Sequence, residues 1–168
     1  MSELSKNKAN FSALTPLSFL YRTASIFPSR LAWIYGSRKA SYQELYLRSK
    51  NLAAAIKKLR VRKGEVVSVM LPNIPEMIES HFGIPMSGAI LNSLNTRLEK
   101  RSIEFILKHS KSKILIFHED YIDLVKSLSI KTNLTLLVVQ EKKQNNYKSI
   151  INYDSFLKKI PEHHFKVL

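Results

Sequence analysis

Stretches with apolar residues at helical spacing alternate along this chain with short, nearly continuous apolar runs. Thr15 followed by Pro16 sets a helix start, pairing a hydroxyl N-cap with a ring whose fixed φ suits the first turn. Leu17, Leu20, Tyr21, Ala24 and Phe27 recur at helical spacing until Pro28 ends the pattern. Residues 31–35 and 39–42 flank Gly36-Ser37 and predict a short hairpin. Ser41 with Glu44 three positions on forms a capping box, and Tyr42, Leu45, Leu52, Ile56 and Leu59 give the next helix its stripe, with Gly64 after its end. Beyond it, strands at 66–71, 89–94, 113–117 and 134–139 are separated by helices at 73–87, 99–110 and 119–128. The polar stretch 140–149 predicts a loop, and 153–160 a last short helix. Strands this rich in Val, Ile and Leu are covered on both faces, so the pattern predicts an α/β fold with a mostly parallel sheet flanked by helices. Residues 1–13 are polar and predict a flexible lead-in.

Composition narrows the chemistry. Among 168 residues there is no cysteine, which excludes disulfides, thiolate metal sites and thiol nucleophiles within this sequence. A chain of this size buries roughly 70% of its unfolded surface, enough for one core. No apolar run nears the roughly 18 residues of a membrane span, and the start has no apolar core of a secretory signal, so a cytoplasmic protein is expected. The formal charge is +14, with Lys57-Lys-Leu-Arg-Val-Arg-Lys63 the densest basic run. That run offers a patch for nucleic acid or an anionic membrane. Its other reading is a helix C-terminus whose dipole favours cations. Both halves of the sequence are basic, so an evenly spread basic surface is expected.

Only Gly36, Gly64, Gly83 and Gly88 occur. Gly83-Ile-Pro-Met-Ser-Gly88 has the glycine spacing of a phosphate loop, but Ala89-Ile90 stand where Lys and Ser or Thr are needed and Pro85 removes a donor. The expected use of both glycines is structural, as a close helix contact and a helix-to-strand turn. His81, His109, His118, His163 and His164 show no His-x-x-x-His spacing for zinc. His118-Glu119-Asp120 closes a strand where α/β sites form, and reads as an acid–base cluster or, more simply, as an acidic helix start. No serine lies in a nucleophile elbow, and no catalytic residue is assigned.

Several stretches in a fixed order carry a resemblance: Leu14-Thr-Pro-Leu17, Tyr42 with Glu44-Leu45, Lys63-Gly-Glu-Val-Val67, Met70-Leu-Pro-Asn73, Pro75-Glu76, the segment from His81 through Asn92, and Leu94-Asn-Thr-Arg-Leu98. Together they resemble the N-terminal segment of the AMP-dependent synthetases and ligases, the adenylate-forming acyl-CoA synthetases, over about residues 14–165. The stretch 81–98 is most similar to the branch acting on medium-chain fatty acids. The resemblance implies an α/β fold of mostly parallel strands. It implies a parent activity that joins a fatty acid to AMP from ATP and Mg2+, then transfers the acyl group to CoA. It places residues 14–168 before the family's Ser/Thr/Gly-rich phosphate loop, and no glycine follows Gly88 to hide one. The expectation is a truncated or split acyl-CoA synthetase that is inactive alone, a fragment, one half of a split enzyme or a gene remnant, whose partner is the remaining synthetase segment or a second copy. Arg97 matches a position near the CoA phosphates in some relatives, its other reading being an arginine that holds a turn; His81 and Asn92 are weaker candidates beside the acyl or CoA channel.

Overall fold

Strand register and helix capping fix the architecture of the computed structural model, which describes residue 11 and residues 14–129, 133–141 and 145–159. The lead-in expected at 1–13 lies outside the described residues except for Phe11, as do His163 and His164. Helix α1 (Pro16–Ile26) starts on Thr15, whose hydroxyl accepts the Ser18 N–H at 3.2 Å. The hairpin of β1 (Leu31–Tyr35) and β2 (Arg38–Ser41) follows, antiparallel and turned at Gly36 with φ +58°. Helix α2 (Tyr42–Lys58) carries the expected capping box: the Ser41 N–H donates to Glu44 Oε2 at 2.7 Å, and the Glu44 N–H to Ser41 Oγ at 3.2 Å.

The main sheet holds β3 (Val66–Met70), β4 (Ile90–Ser93), β5 (Ile114–His118), β6 (Thr135–Val139) and β7 (Ile151–Asn152), in the order β4-β3-β5-β6-β7 and all parallel. Helices α3 (Pro75–Met86), α4 (Lys100–His109), α5 (Ile122–Ser127) and α6 (Tyr153–Lys158) connect or follow these strands. One face packs Val67, Val69, Ile114, Ile116 and Leu137 against Leu52 and Ile56 of α2, Ile84 of α3, and Tyr153 and Leu157 of α6. The other packs Met70, Leu115, Phe117 and Val138 against Ile103 and Leu107 of α4 and Val125 of α5. The period of two along each strand therefore feeds two cores. The change of face between α3 and α4 accompanies a reversal of direction across the sheet, which one crossover hand requires.

The sequence expectations differ from the fold at four places. Helix 119–128 splits into a 3-10 turn (Glu119–Tyr121) and α5, because His118 caps the turn through Nδ1, which accepts the Asp120 N–H at 3.3 Å. Strand β7 has only two residues and no periodicity to announce it. Strand β4 is an edge and leaves Ile90 53% exposed, so it is not covered on both sides. In α1 only Leu20 and Ala24 are buried, while Phe19 and Tyr21 stand in the open, as does Phe27 just past the helix end.

Both glycine expectations hold. A Cβ on Gly83 would sit 2.7 Å from the Ser49 carbonyl oxygen and 2.8 Å from Leu52 Cδ2, so hydrogen alone permits the α2–α3 contact. Gly88 takes φ +86° at the turn into β4.

The fold adds a local feature to the evenly spread basic charge expected from the sequence. Parallel strands joined by helices send every strand's N-terminus, and the C-termini of α2, α3 and α4, to one edge of the sheet. The exposed residues Lys57, Lys58, Arg60, Arg62 and Lys63 gather there, with Lys108, Lys111 and Lys113 beside them. This edge carries a local cluster of cations, although exposed basic residues such as Arg22, Arg30, Lys39, Arg97 and Arg101 lie elsewhere on the surface.

Candidate functional site

Helix α3 buries its polar side. Glu76, Glu79, Ser80 and Gly83 fall at helical spacing on the face turned toward the protein, and all are buried, while Ile78 is partly exposed. Each carboxylate is met by an arginine from a neighbouring element. Arg38 of β2 donates through Nη2 to Glu76 Oε1. Arg48 of α2 donates through Nε to Glu79 Oε1, through Nη2 to Glu79 Oε2 at 3.1 Å, and to Asp154 Oδ1 at 2.9 Å. The Tyr153 hydroxyl donates to Glu79 Oε2 at 3.0 Å. Burial pushes the Glu79 carboxyl above its ordinary value despite Arg48 and Tyr153, which both favour its charge. Tyr153, fully enclosed and facing that carboxylate, is raised well above its own and stays a donor. Arg48 is raised too: burial opposes its charge, but Glu79 and Asp154 outweigh it.

The Glu76 pair lies at the carboxyl ends of the strands. Strand β3 leads to β4 on one side, and β4 is followed by β5 on the other side of β3, so the sheet reverses direction between β3 and β5. Open α/β sheets bind ligands in the crevice beyond such a point. A row of polar side chains crosses it: Glu76, then Arg38, then Glu141 with Oε1 3.8 Å from Arg38 Nη1, then His118 with Nε2 3.8 Å from Glu141 Oε2. Asp120 Oδ2 stands 3.1 Å from His118 Nδ1. Glu76 Oε2 and His118 Nε2 are both buried without a hydrogen-bond partner among the described residues. Tyr35 at the hairpin tip is raised above its ordinary value, first by desolvation and then by the Glu141 charge. The row fastens the hairpin to α3 and to the ends of β5 and β6. It contains no nucleophile, and no three acidic or histidine side chains converge as a metal site among the described residues.

Of the histidine, asparagine and arginine candidates singled out from the sequence, His118 lies in this row and His81, Asn92 and Arg97 are not among its members. His118 serves as a cap, the simpler of its two readings. Asn92 donates to Ser68 Oγ at 2.9 Å, joining a chain of hydroxyls in which Ser68 and Ser112 are 2.6 Å apart and Ser112 and Ser110 2.7 Å. His81 is exposed on α3 with Nδ1 2.8 Å from the Met77 carbonyl oxygen. Arg97 is exposed after β4, its backbone N–H donating to Asn95 Oδ1 at 2.9 Å, and no carboxylate meets its guanidinium among the described residues. The sequence reading missed Arg38, Arg48, Glu76, Glu79 and Glu141. The available signal was the polar stripe within α3, since two glutamates, a serine and a glycine on one face of a helix behind a buried strand must be paired.

Apolar surface remains uncovered next to the crevice. Leu14, Phe19, Leu20, Tyr42, Ile78 and Phe82 frame a groove of about 520 Å³ between α1, α2 and α3. Trp33, Ile34, Tyr35, Pro75 and Met77 line a recess of about 230 Å³ between the hairpin and the start of α3. Contiguous exposed apolar surface of this kind marks a contact region.

The profile of the AMP-binding enzyme family matches residues 20–164. The chain belongs to that family. It is 37% identical over 155 residues to a peroxisomal trans-cinnamate:CoA ligase of Petunia hybrida, spanning 92% of this chain and 27% of the relative. It is 36% identical over 148 residues to a peroxisomal acetate/butyrate–CoA ligase of Arabidopsis thaliana, spanning 88% of this chain and 25% of the relative. Among solved structures, an anthranilate CoA ligase in complex with anthranoyl-AMP superimposes with a TM-score of 0.77 at 25% identity, over 87% of this chain and 28% of that one. The chain thus spans about a quarter of the length of the relatives it matches, and corresponds to their N-terminal segment. The fold is that of acyl-CoA ligase N-terminal domains. Among the described residues, no helix is long and apolar enough to cross a membrane.

The described residues do not fit Mg-ATP. The only paired glycines at phosphate-loop spacing are consumed by packing, Gly83 against α2 and Gly88 in its turn beside Lys63. Among the described residues, no group of three acidic or histidine side chains is placed to hold a divalent cation.

Proposed function

We propose that residues 14–168 form the N-terminal subdomain of an AMP-forming acid–thiol ligase. In the complete enzyme a carboxylic acid would react with ATP to give an acyl-adenylate, and CoA would then take the acyl group. The 168 residues alone do not form the adenylate. The observation that carries this reading is the pairing of a family fold with uncovered apolar surface on α1, the hairpin and α3, in a sequence with no glycine after Gly88 to build a phosphate loop. The remaining ligase segment would cover the groove at Phe19 and Ile78, and self-association through the same groove is the competing outcome. A medium-chain fatty acid is the substrate class favoured by the 81–98 segment; a cytoplasmic setting is part of the proposal, and the peroxisome named for the two relatives is the alternative. Relatives named for cinnamate and butyrate make aromatic and short aliphatic acids the alternatives. Arg97, exposed and without a carboxylate partner among the described residues, is the group offered to the CoA phosphates.

ATP–pyrophosphate exchange tests the proposal. The purified chain should give no exchange with octanoate, butyrate, benzoate or cinnamate. Adding a polypeptide that supplies the remaining three-quarters of a relative should restore exchange, most strongly with octanoate. Robust exchange by the chain alone would overturn the reading, and a preference for cinnamate would overturn the substrate class only.

A further inference from the structure

We propose that the N-terminal edge of the parallel sheet is a docking surface for an anionic phospholipid bilayer. Register brings its parts together: Val67 of β3 pairs with Ile114 of β5, so the segments entering those strands lie side by side. The first segment carries Arg60, Arg62 and Lys63 on the exposed exit from α2, after Lys57 and Lys58 of the last turn. The second carries Lys111 and Lys113, after Lys108 at the end of α4. Among the described residues, the carboxylate paired with these cations is Glu65, 3.2 Å from Arg62 Nη2 and 3.7 Å from Lys113 Nζ.

Compensation of helix dipoles does not account for this charge. The three C-termini, of α2, α3 and α4, together present about one and a half negative charges. Leaving Lys57 aside, seven exposed cations against Glu65 leave an excess of positive charge at this edge among the described residues. Clusters of four to eight Lys and Arg are the range in which anionic lipid headgroups hold a protein surface, at about 1 kcal/mol per cation.

The geometry favours a bilayer over nucleic acid. Helices α2 and α4 meet this edge end-on, so neither can lie in a groove of a duplex. Base stacking on single strands needs a row of open aromatic faces. Phe105 lies three residues before Lys108 on α4, and one of its faces is stacked on His109 with ring centroids 5.6 Å apart. Phe105 is otherwise 66% exposed, an apolar side chain beside cations, as interfacial binding uses.

Flotation of the full chain with vesicles tests the surface. Binding is expected to vesicles of one part phosphatidylserine to two parts phosphatidylcholine, and not to phosphatidylcholine alone. It should weaken as salt is raised. Neutralising three cations in R60Q/R62Q/K63Q should lower partitioning by about a hundredfold, from the per-cation contribution above. Phe105→Ser should lower it by several-fold while leaving any duplex DNA binding unchanged. Both variants should keep the parent circular dichroism spectrum and unfolding midpoint, because the changed side chains are exposed. Equal binding to both vesicle types, no binding to either, indifference to the triple variant, or tighter retention of duplex DNA than of anionic vesicles at one salt concentration would each overturn the proposal.

Discussion

Replacing Arg48 by Met should destabilise the folded chain by about 3 kcal/mol, and the cost should grow as pH rises. Glu79 has no exposure to solvent, and Arg48 supplies two of its three side-chain donors. Removing one partner of a buried pair costs about 3–5 kcal/mol, since the other charge is left uncompensated. The lower end applies because the Arg48 side chain is 36% exposed, so water can enter its place. That is a large share of a total stability of about 5–15 kcal/mol. The pH dependence follows from Glu79. Burial already raises its carboxyl above 4.5, and losing Arg48 removes the largest opposing influence. A carboxyl raised in the folded state binds more protons there than in the unfolded chain, so stability falls as pH climbs from the ordinary carboxylate value through the raised one. Urea unfolding followed by circular dichroism at pH 5 and pH 8 measures both effects, with constant m-values as the check on two-state behaviour. The double variant Arg48→Met with Glu79→Leu removes both charges and should recover most of the loss. A cost below about 1 kcal/mol, an equal cost at both pH values, or a double variant no better than Arg48→Met would refute the reasoning.

Three further outcomes are expected. Gly83→Ala should destabilise by about 2 kcal/mol in the same unfolding assay, because the new Cβ meets the Ser49 carbonyl at 2.7 Å and overpacking outweighs the gain in helix propensity. Glu44 is held below its ordinary value, first by the Ser41 N–H, so its contribution is complete above that value and is lost as pH falls through the lowered one. Glu44→Gln should therefore flatten the acid limb of stability between pH 5 and pH 2. Phe19→Ser with Ile34→Thr removes exposed apolar surface from α1 and the hairpin, and should reduce any self-association seen by sedimentation velocity without changing the unfolding midpoint.

Helices and strands with strong periodicity were legible from the residues alone. Thr15-Pro16 and the Ser41–Glu44 box marked their helix starts because a cap is a local device whose parts are three residues apart. The family was legible from ordered stretches, and the profile match over residues 20–164 agrees with it. Strand β7 was not legible, since two residues carry no period and its pairing with β6 is decided by tertiary contact. The polar row was not legible for a related reason. Arg38 and Glu76 are 38 positions apart and Arg48 and Asp154 are 106 apart, distances over which sequence spacing says nothing about contact. The cation cluster at one edge was not legible either, because counting charge by sequence halves cannot show it, whereas the fold divides residues by sheet edge.

That division has one cause at both ends of the molecule. A parallel sheet lays helices α3 and α4 in the same direction as each other, N-termini over the carboxyl ends of the strands. Partial positive charge therefore collects at that end, and Glu76 in the first turn of α3 gains from it before Arg38 adds its own charge. The opposite end collects helix C-termini, where Lys57, Lys58 and Lys108 are individually favourable. Selection for helix stability alone would stop at those last turns. Arg60 and Lys111 sit beyond them, both with positive φ that a glycine or asparagine would adopt at lower cost. Holding cations at two strained positions is hard to explain by folding and is what an anion-facing edge requires. Arg60→Gly and Lys111→Gly should accordingly stabilise the fold slightly while weakening anionic vesicle binding, a trade that purely structural lysines and arginines would not show.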